Sequence, residues 1–465
     1  MGEAAEQPGR GGRIEPRAHG GPIQLFYGPE PATPRPVISH ASGIHMWDMD
    51  GRRYLDGSSG PVVTNIGYGN RRVLDAMVRQ AQKVCYASRA VFENQANIDL
   101  ADLVTGLAGP GLDRAFITSG GSEATEAAIK LARQYAVARG EPERWKVLGR
   151  NPGYHGATLG AAAVTGDPDS DALFGAGMLV MPKVPAPFTY RLPENHDVDS
   201  NARRCAAAFE EAILAEGPET VLAFIMEPVG GLATGALVAP DHYYRAVRDI
   251  CDRHGVLLIY DEVMSGAGRT GSFLAADHWP DARPDLVTLA KGIAAGYTPL
   301  GMVLAPATMV DTVVASGGFM HGHTYSANPL SCAVGLAVVQ EMMDHDLIAN
   351  ARDMGVLLRQ RLQALMGASS IIGDVRGLGL LNAVEIVADR DSKAMFASET
   401  RAVERIIALA QERGLLLYTR RTAGGKFGEW LMLTPPLIVS PQDIEEIVSL
   451  LADSLAAFER EIGRT

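Results

Sequence analysis

The chain of 465 residues has 47% apolar and 21% charged residues, the composition of a globular protein large enough for two packed units. Its net charge of −12 argues against nucleic acid and anionic membrane as partners, since both select basic faces. Four cysteines without CxxC spacing give no sign of a disulfide framework or zinc site and fit a reducing cytoplasm, and no apolar run nears the roughly 20 residues that span a bilayer.

Residues 1–21 have almost no large apolar side chain and are expected to be a disordered tail without a signal-peptide core. Order is expected from about Ile23, through a Pro-rich extended link at 29–36. The stretch 44–56 reads as a β-hairpin turning at Asp50-Gly51, followed by Gly-rich loops at 57–61 and 65–69. Apolar spacing then predicts helices over 73–82 and 97–107.

At Ala115-Phe116-Ile117-Thr118-Ser119-Gly120-Gly121-Ser122-Glu123 an apolar run enters a Gly/Ser turn, and a helical pattern continues through Tyr135. Backbone N–H groups at such a helix start, with a serine hydroxyl, make a phosphate cradle; a simple helix cap is the alternative. A further apolar step at 146–148 leads to Tyr154-His155-Gly156, where the tyrosine ring either stacks on a planar ligand or packs as an ordinary side chain. The run 220–226 ends in Glu227, and 241–254 is a helix with Tyr244, Val247 and Ile250 along one face.

The runs 255–260 and 285–290 end in Asp261 and Lys291. Short apolar runs that finish in ionisable residues are parallel strands presenting chemistry at their carboxyl ends, and the alternation with helices predicts a doubly wound, mostly parallel sheet. A lysine can hold pyridoxal phosphate as a Schiff base, while a carboxylate keeps its pyridine nitrogen protonated; a strand-end cap and a solvated lysine are the ordinary alternatives. A polar loop, 320–329, precedes a helix over 330–343. Its His321 and His323 lack a third metal ligand. Beyond about 344 the pattern becomes α+β, with helices at 357–365, 400–413 and 443–460 and strands near 380–386 and 415–418.

The stretch from Asp261-Glu262-Val263 through Gly268-Arg269-Thr270-Gly271, together with Lys291-Gly292 through Pro299-Leu300-Gly301, resembles the signature of class III aminotransferases. These are the ω-aminotransferase branch of fold-type I pyridoxal phosphate enzymes, and the likeness extends over most of the chain. It implies an α/β fold with a mostly parallel seven-stranded sheet in a large domain, 71–330. A smaller α+β domain, 331–465, should pack with an amino-terminal segment, 22–70.

By the same resemblance Lys291 carries the cofactor as an internal aldimine and Asp261 faces the pyridine nitrogen. Gly120, Gly121 and Ser122 bind the phosphate, Tyr154 stacks on the ring, and His155, Glu227 and Val263 complete the site. Thr324 reaches the cofactor phosphate of a neighbouring subunit, which implies a homodimer with shared sites, or a tetramer of such pairs. The implied reaction is ping-pong transfer of an amino group from an ω-amino acid or amine to a keto acid such as pyruvate.

Departures from the family fall mostly on the substrate walls. Gly120 and Thr125 differ from its phosphate loop, and Pro61-Val62-Val63 stands where many amine:pyruvate members carry tryptophan. Met432 occupies the position of the arginine that binds 2-oxoglutarate or dialkylglycine, three residues before Pro435-Pro436. Arg420 and Arg421 are the candidate carboxylate ligands, with Arg89 a weaker one. An aminomutase or racemase of the same family would keep the same cofactor residues. A binding protein without turnover would have no need of Lys291 and Asp261, and a dinucleotide dehydrogenase would need a Gly-x-Gly-x-x-Gly turn after its first strand, which is lacking.

Overall fold

The computed structural model describes residues 35–419 and 422–464. At its centre is a seven-stranded sheet. In spatial order its strands are Arg114–Thr118, Gly301–Ala305, Leu286–Ala290, Leu257–Asp261, Val221–Met226, Lys146–Asn151 and Lys183–Pro185. Only Gly301–Ala305 runs against its neighbours; the others are parallel. The expected mostly parallel sheet is therefore present.

These strands are apolar on both faces because helices cover both. Leu258 and Tyr260 belong to one core with Phe209 and Val247, while Ile259 belongs to the other with Ala128 and Val313. Val221–Met226 is buried along its whole length, as a central parallel strand requires. The helix leading into the central strand, Asp241–His254, buries Tyr243, Tyr244, Val247, Ile250 and Cys251. It stops at Gly255, whose φ of +62° makes the left-handed cap that lacks a Cβ penalty. Six strands thus deliver their carboxyl ends to one edge of the sheet.

The carboxy-terminal part forms a separate antiparallel sheet of Ile372–Leu378, Leu381–Ile386 and Trp430–Leu433. Helix Leu347–Ala368 packs on it, Pro441–Glu461 packs against that helix, and Ala402–Glu412 joins them. The first of these helices begins well before the expected 357. Its buried stripe includes Ala351 and Gly355, and a Cβ on Gly355 would come within 2.1 Å of the Gly379 carbonyl oxygen. Close backbone approach requires small residues on the stripe, and these hide the first turns from the apolar pattern.

The amino-terminal hairpin His45–Asp48 with Arg53–Asp56 is formed as expected, with Ile38–Ser42 added at its edge. Its last strand pairs in parallel with Leu415–Leu416, so the amino-terminal segment and the carboxy-terminal part share one sheet. The strand expected over 415–418 is confined to those two residues. Helix Pro329–Asp344 packs against Arg71–Lys83 and Gln95–Ala108. No helix among the described residues is long and apolar enough to cross a membrane.

Candidate active site

Asp261 ends the central strand and is 5% exposed. Its Oδ1 accepts from the Val263 amide at 3.0 Å and the Thr288 hydroxyl at 3.3 Å. Its Oδ2 lies 2.8 Å from His155 Nδ1. As a carboxylate Asp261 can only accept, so the His155 proton sits on Nδ1. His155 is fixed in turn: its amide donates to Thr165 Oγ1 and its carbonyl accepts from Thr125 Oγ1, each at 2.8 Å. Its Nε2 is buried without a partner among the described residues. Thr125, a departure from the family loop, thus props the histidine.

Lys291 follows the adjacent strand and opens the short 3₁₀ turn Lys291–Ile293 with φ of +49°. Burial pulls its ammonium down to about 8, and the nearby Asp261 and Glu227 carboxylates oppose this only in part. A neutral, nucleophilic amine is therefore within reach near neutral pH.

Glu227 stands at the end of the next strand and is 4% exposed. Burial raises its pKa, against the pull of His155 and Arg150. Its Oε1 accepts from the Gly231 amide at 2.7 Å and its Oε2 from the Tyr154 amide at 3.4 Å. This carboxylate ties the Tyr154 loop to the neighbouring strand end.

At the far side, helix Gly121–Ala138 begins at Gly120, which offers no side-chain cap. Glu123 Oε2 accepts from the Ser119 amide at 2.8 Å, so the capping alternative is realised in part. The amides of the first turn are left for an anion. Ser122 Oγ accepts from the Ala157 amide at 3.0 Å, joining this turn to the loop after Tyr154. A Cβ on Gly121 would approach both Val263 methyls, at 3.1 and 3.2 Å, which explains glycine there.

Gly120, Gly121, Ser122, Tyr154, His155, Glu227, Asp261, Val263 and Lys291 all line one cavity of about 290 Å³. Its donor set fits pyridoxal phosphate. An anionic acceptor can face the ring nitrogen, an amine can take the aldehyde, and an uncapped helix start with a hydroxyl can take the phosphate. Thr324 does not line this cavity and is exposed in a turn. Arg89 also lies away from it, with its guanidinium 4.8 Å over the Phe116 ring, so within this chain it offers the cavity no cation. Met432 is fully buried. Arg420 and Arg421 fall outside the described residues. No group of three or more metal-ligating side chains occurs among the described residues.

The supporting roles of Thr125, Thr165 and Thr288 do not follow from the sequence pattern. A threonine inside the otherwise apolar run of Leu286–Ala290 is the one available signal.

The family description "Aminotransferase class-III" matches residues 27–455. Similar proteins include the uncharacterized aminotransferase YodT of Bacillus subtilis, 36% identical over 94% of this chain and 98% of the relative. A diaminobutyrate–2-oxoglutarate transaminase of Halomonas elongata is 35% identical, over 90% of this chain and 89% of that one. The ω-transaminase of Pseudomonas jessenii, solved in complex with PMP, superposes with a TM-score of 0.87 at 30% identity, covering 94% of this chain and 97% of its own. With this match along its length, the chain belongs to the class III aminotransferase family, which depends on pyridoxal phosphate.

Proposed function

We propose that the enzyme takes an amino group from an ω-amino acid or primary amine and passes it to pyruvate or a related keto acid in two half-reactions. The observation that carries this reading is one cavity holding an amine, Lys291, depressed to about 8, and the buried carboxylate of Asp261 at the ends of adjacent strands. Bound pyridoxal phosphate supplies an electron sink for the charge left when a substrate carbon loses its proton.

The residues have distinct tasks. Lys291 Nζ would anchor the cofactor covalently and, as a free amine, would take a proton from and return one to the substrate carbon. Asp261, oriented by His155 and Thr288, would keep the ring nitrogen protonated. Gly120, Gly121 and Ser122 would hold the phosphate and Tyr154 would pack on the ring, while Glu227 holds the Tyr154 loop. Residues 71–330 are the cofactor-binding domain and 331–465 the smaller one, with 22–70 beside it; in support, every cavity residue but Val63 falls in 71–330. Thr324, exposed and outside the cavity of its own chain, completes the site of a second copy in a homodimer. The four cysteines are all free, which suits a reducing cytoplasm.

For the acceptor's carboxylate, the buried thioether at Met432 offers no charge, so one of Arg420 and Arg421 serves. The test is a panel of ¹⁵N-labelled amines and ω-amino acids with pyruvate or 2-oxoglutarate. Label should move to the keto acid with parallel double-reciprocal lines. Isomerisation of a substrate without any acceptor would replace this reading with an aminomutase or racemase.

A further inference from the structure

Arg269 has no exposed surface, and among the described residues no carboxylate lies within ion-pair distance of it. The Asp56 carboxylate offsets part of the burial cost from beyond ion-pair distance, but hiding a guanidinium without a paired anion is costly unless its donors are met by other acceptors. Its Nε is buried without a partner among the described residues, while both Nη groups are met by three separate stretches of chain. Nη1 donates to the carbonyls of Leu380, Thr434 and Pro435 in the carboxy-terminal part. Nη2 donates to Ser59 Oγ at 3.2 Å and Asn65 Oδ1 at 2.7 Å.

The stretch from Ser59 to Asn65 is a wall of the cavity through Val63, and its backbone is strained. Ser59 and Val62 sit at φ of +54° and +62°, a conformation that a β-branched residue rarely adopts. Asp56 grips the same wall, accepting from the Ser58 and Gly60 amides, Thr64 Oγ1 and Tyr68 OH. Asn65 then links this wall to the lysine. Its Nδ2 donates to the Ala267 carbonyl at 2.8 Å, and its amide abuts Gly292 so closely that a Cβ there would come within 2.3 Å of Nδ2. Gly292 adjoins Lys291, itself at φ of +49°.

We propose that Arg269 is a positioning residue: through Asn65 it sets the Lys291-Gly292 turn, and through Ser59 it holds the strained wall, so that amine, wall and carboxy-terminal domain keep one geometry. This rests on Lys291 being the cofactor's anchor. The substitution Arg269→Lys keeps the charge, but one ammonium cannot serve carbonyls on one side and Asn65 on the other. The turn then loosens, water reaches Lys291, and less of its amine is neutral.

The test needs no turnover. Cofactor-free wild type, Arg269→Lys, Asn65→Ala and the double variant are acylated with acetic anhydride across pH, and the Lys291 peptide is quantified by mass spectrometry. Each single variant should acylate Lys291 about threefold more slowly at neutral pH, with the double variant no slower than Arg269→Lys alone. In the loaded enzyme kcat should fall with donor KM nearly unchanged. An unchanged pH profile in both single variants, or additive losses in the double, overturns the proposal; if Arg269→Lys does not fold, an unchanged profile in Asn65→Ala overturns it alone. Borohydride reduction of loaded wild type separates the two readings. Absence of a reduced adduct on Lys291 removes the anchor reading and this one with it, whereas an adduct with unchanged profiles removes only this one.

Discussion

Asp261 and His155 meet at 2.8 Å between Oδ2 and Nδ1, both side chains almost wholly shut off from solvent. The histidine satisfies one carboxylate oxygen, while Thr288 and the Val263 amide take the other. The carboxylate that lines the cavity is thereby held in one orientation by three donors.

Asp261→Asn should lower kcat by roughly a hundredfold or more if, as proposed, its charge faces the ring nitrogen. His155→Gln, which keeps a donor, should retain most of the activity. His155→Leu should lose about tenfold, the cost of leaving one buried acceptor unmet. Steady-state kinetics on the three variants checks the order; equal losses in Asp261→Asn and His155→Leu would mean the two residues act as one unit.

The phosphate cradle predicts a loss of affinity rather than of folding. Ser122→Ala removes a hydroxyl that can donate to an anion, and Gly121→Ala pushes a methyl against Val263. Each should raise the dissociation constant for pyridoxal phosphate about tenfold, measured by equilibrium dialysis, with the melting temperature of the cofactor-free protein little changed for Ser122→Ala. Unaltered affinity in both would place the phosphate elsewhere.

Lys291 makes stability depend on pH. Burial lowers its pKa from 10.5 to about 8, so between those values the unfolded chain binds more protons than the folded one, and stability rises with pH across that window. Below about pH 8 the cost of the buried ammonium is present in full. Lys291→Met should therefore be more stable than cofactor-free wild type at neutral pH, and the gap should close as the solution is made alkaline. Urea titrations of both proteins from neutral to alkaline pH check this; a gap independent of pH would mean the amine is solvated.

The proposed homodimer, in which Thr324 completes the partner's site, predicts complementation between subunits. In a mixed dimer of Lys291→Ala and Thr324→Ala chains, one site has an intact lysine and an intact threonine from its partner. Random reassociation makes about half the dimers mixed, each with one whole site, so about a quarter of wild-type activity should return. It is assayed at a cofactor concentration that leaves the Thr324→Ala parent empty. A mixture no more active than its parents would place Thr324 outside the site.

The parts of the fold that are legible in the sequence are those where burial is continuous and chemistry sits at a strand end. Val221–Met226, Leu257–Asp261 and Leu286–Ala290 read directly as strands, and helix Asp241–His254 reads correctly to its ends. Helix Val198–Glu216 is faint at its start, where the buried stripe opens on Ala202, Cys205 and Ala206, which contrast little with its exposed residues; Phe209 and Ile213 further along the stripe are the available signal. The strand Gly301–Ala305 is hidden by the Gly/Pro-rich turn that feeds it. Asn65 and Arg269 are separated by 204 positions. Neither residue type marks a site by itself, and only folding brings the wall to the guanidinium. The threonines around His155 are silent for the same reason: their hydroxyls matter through partners that are distant in sequence.

The proposed function has one cavity, with Lys291 as its anchor, take an amino group and give it away in separate steps, and the absorbance spectrum of the loaded enzyme would report both. It is recorded as amine donors are added with no keto acid present. The visible band of the lysine-bound cofactor should give way to the shorter-wavelength amine form with at least one donor, and return when pyruvate or 2-oxoglutarate is added. A band that no donor converts, or one that persists in Lys291→Ala, would contradict this assignment.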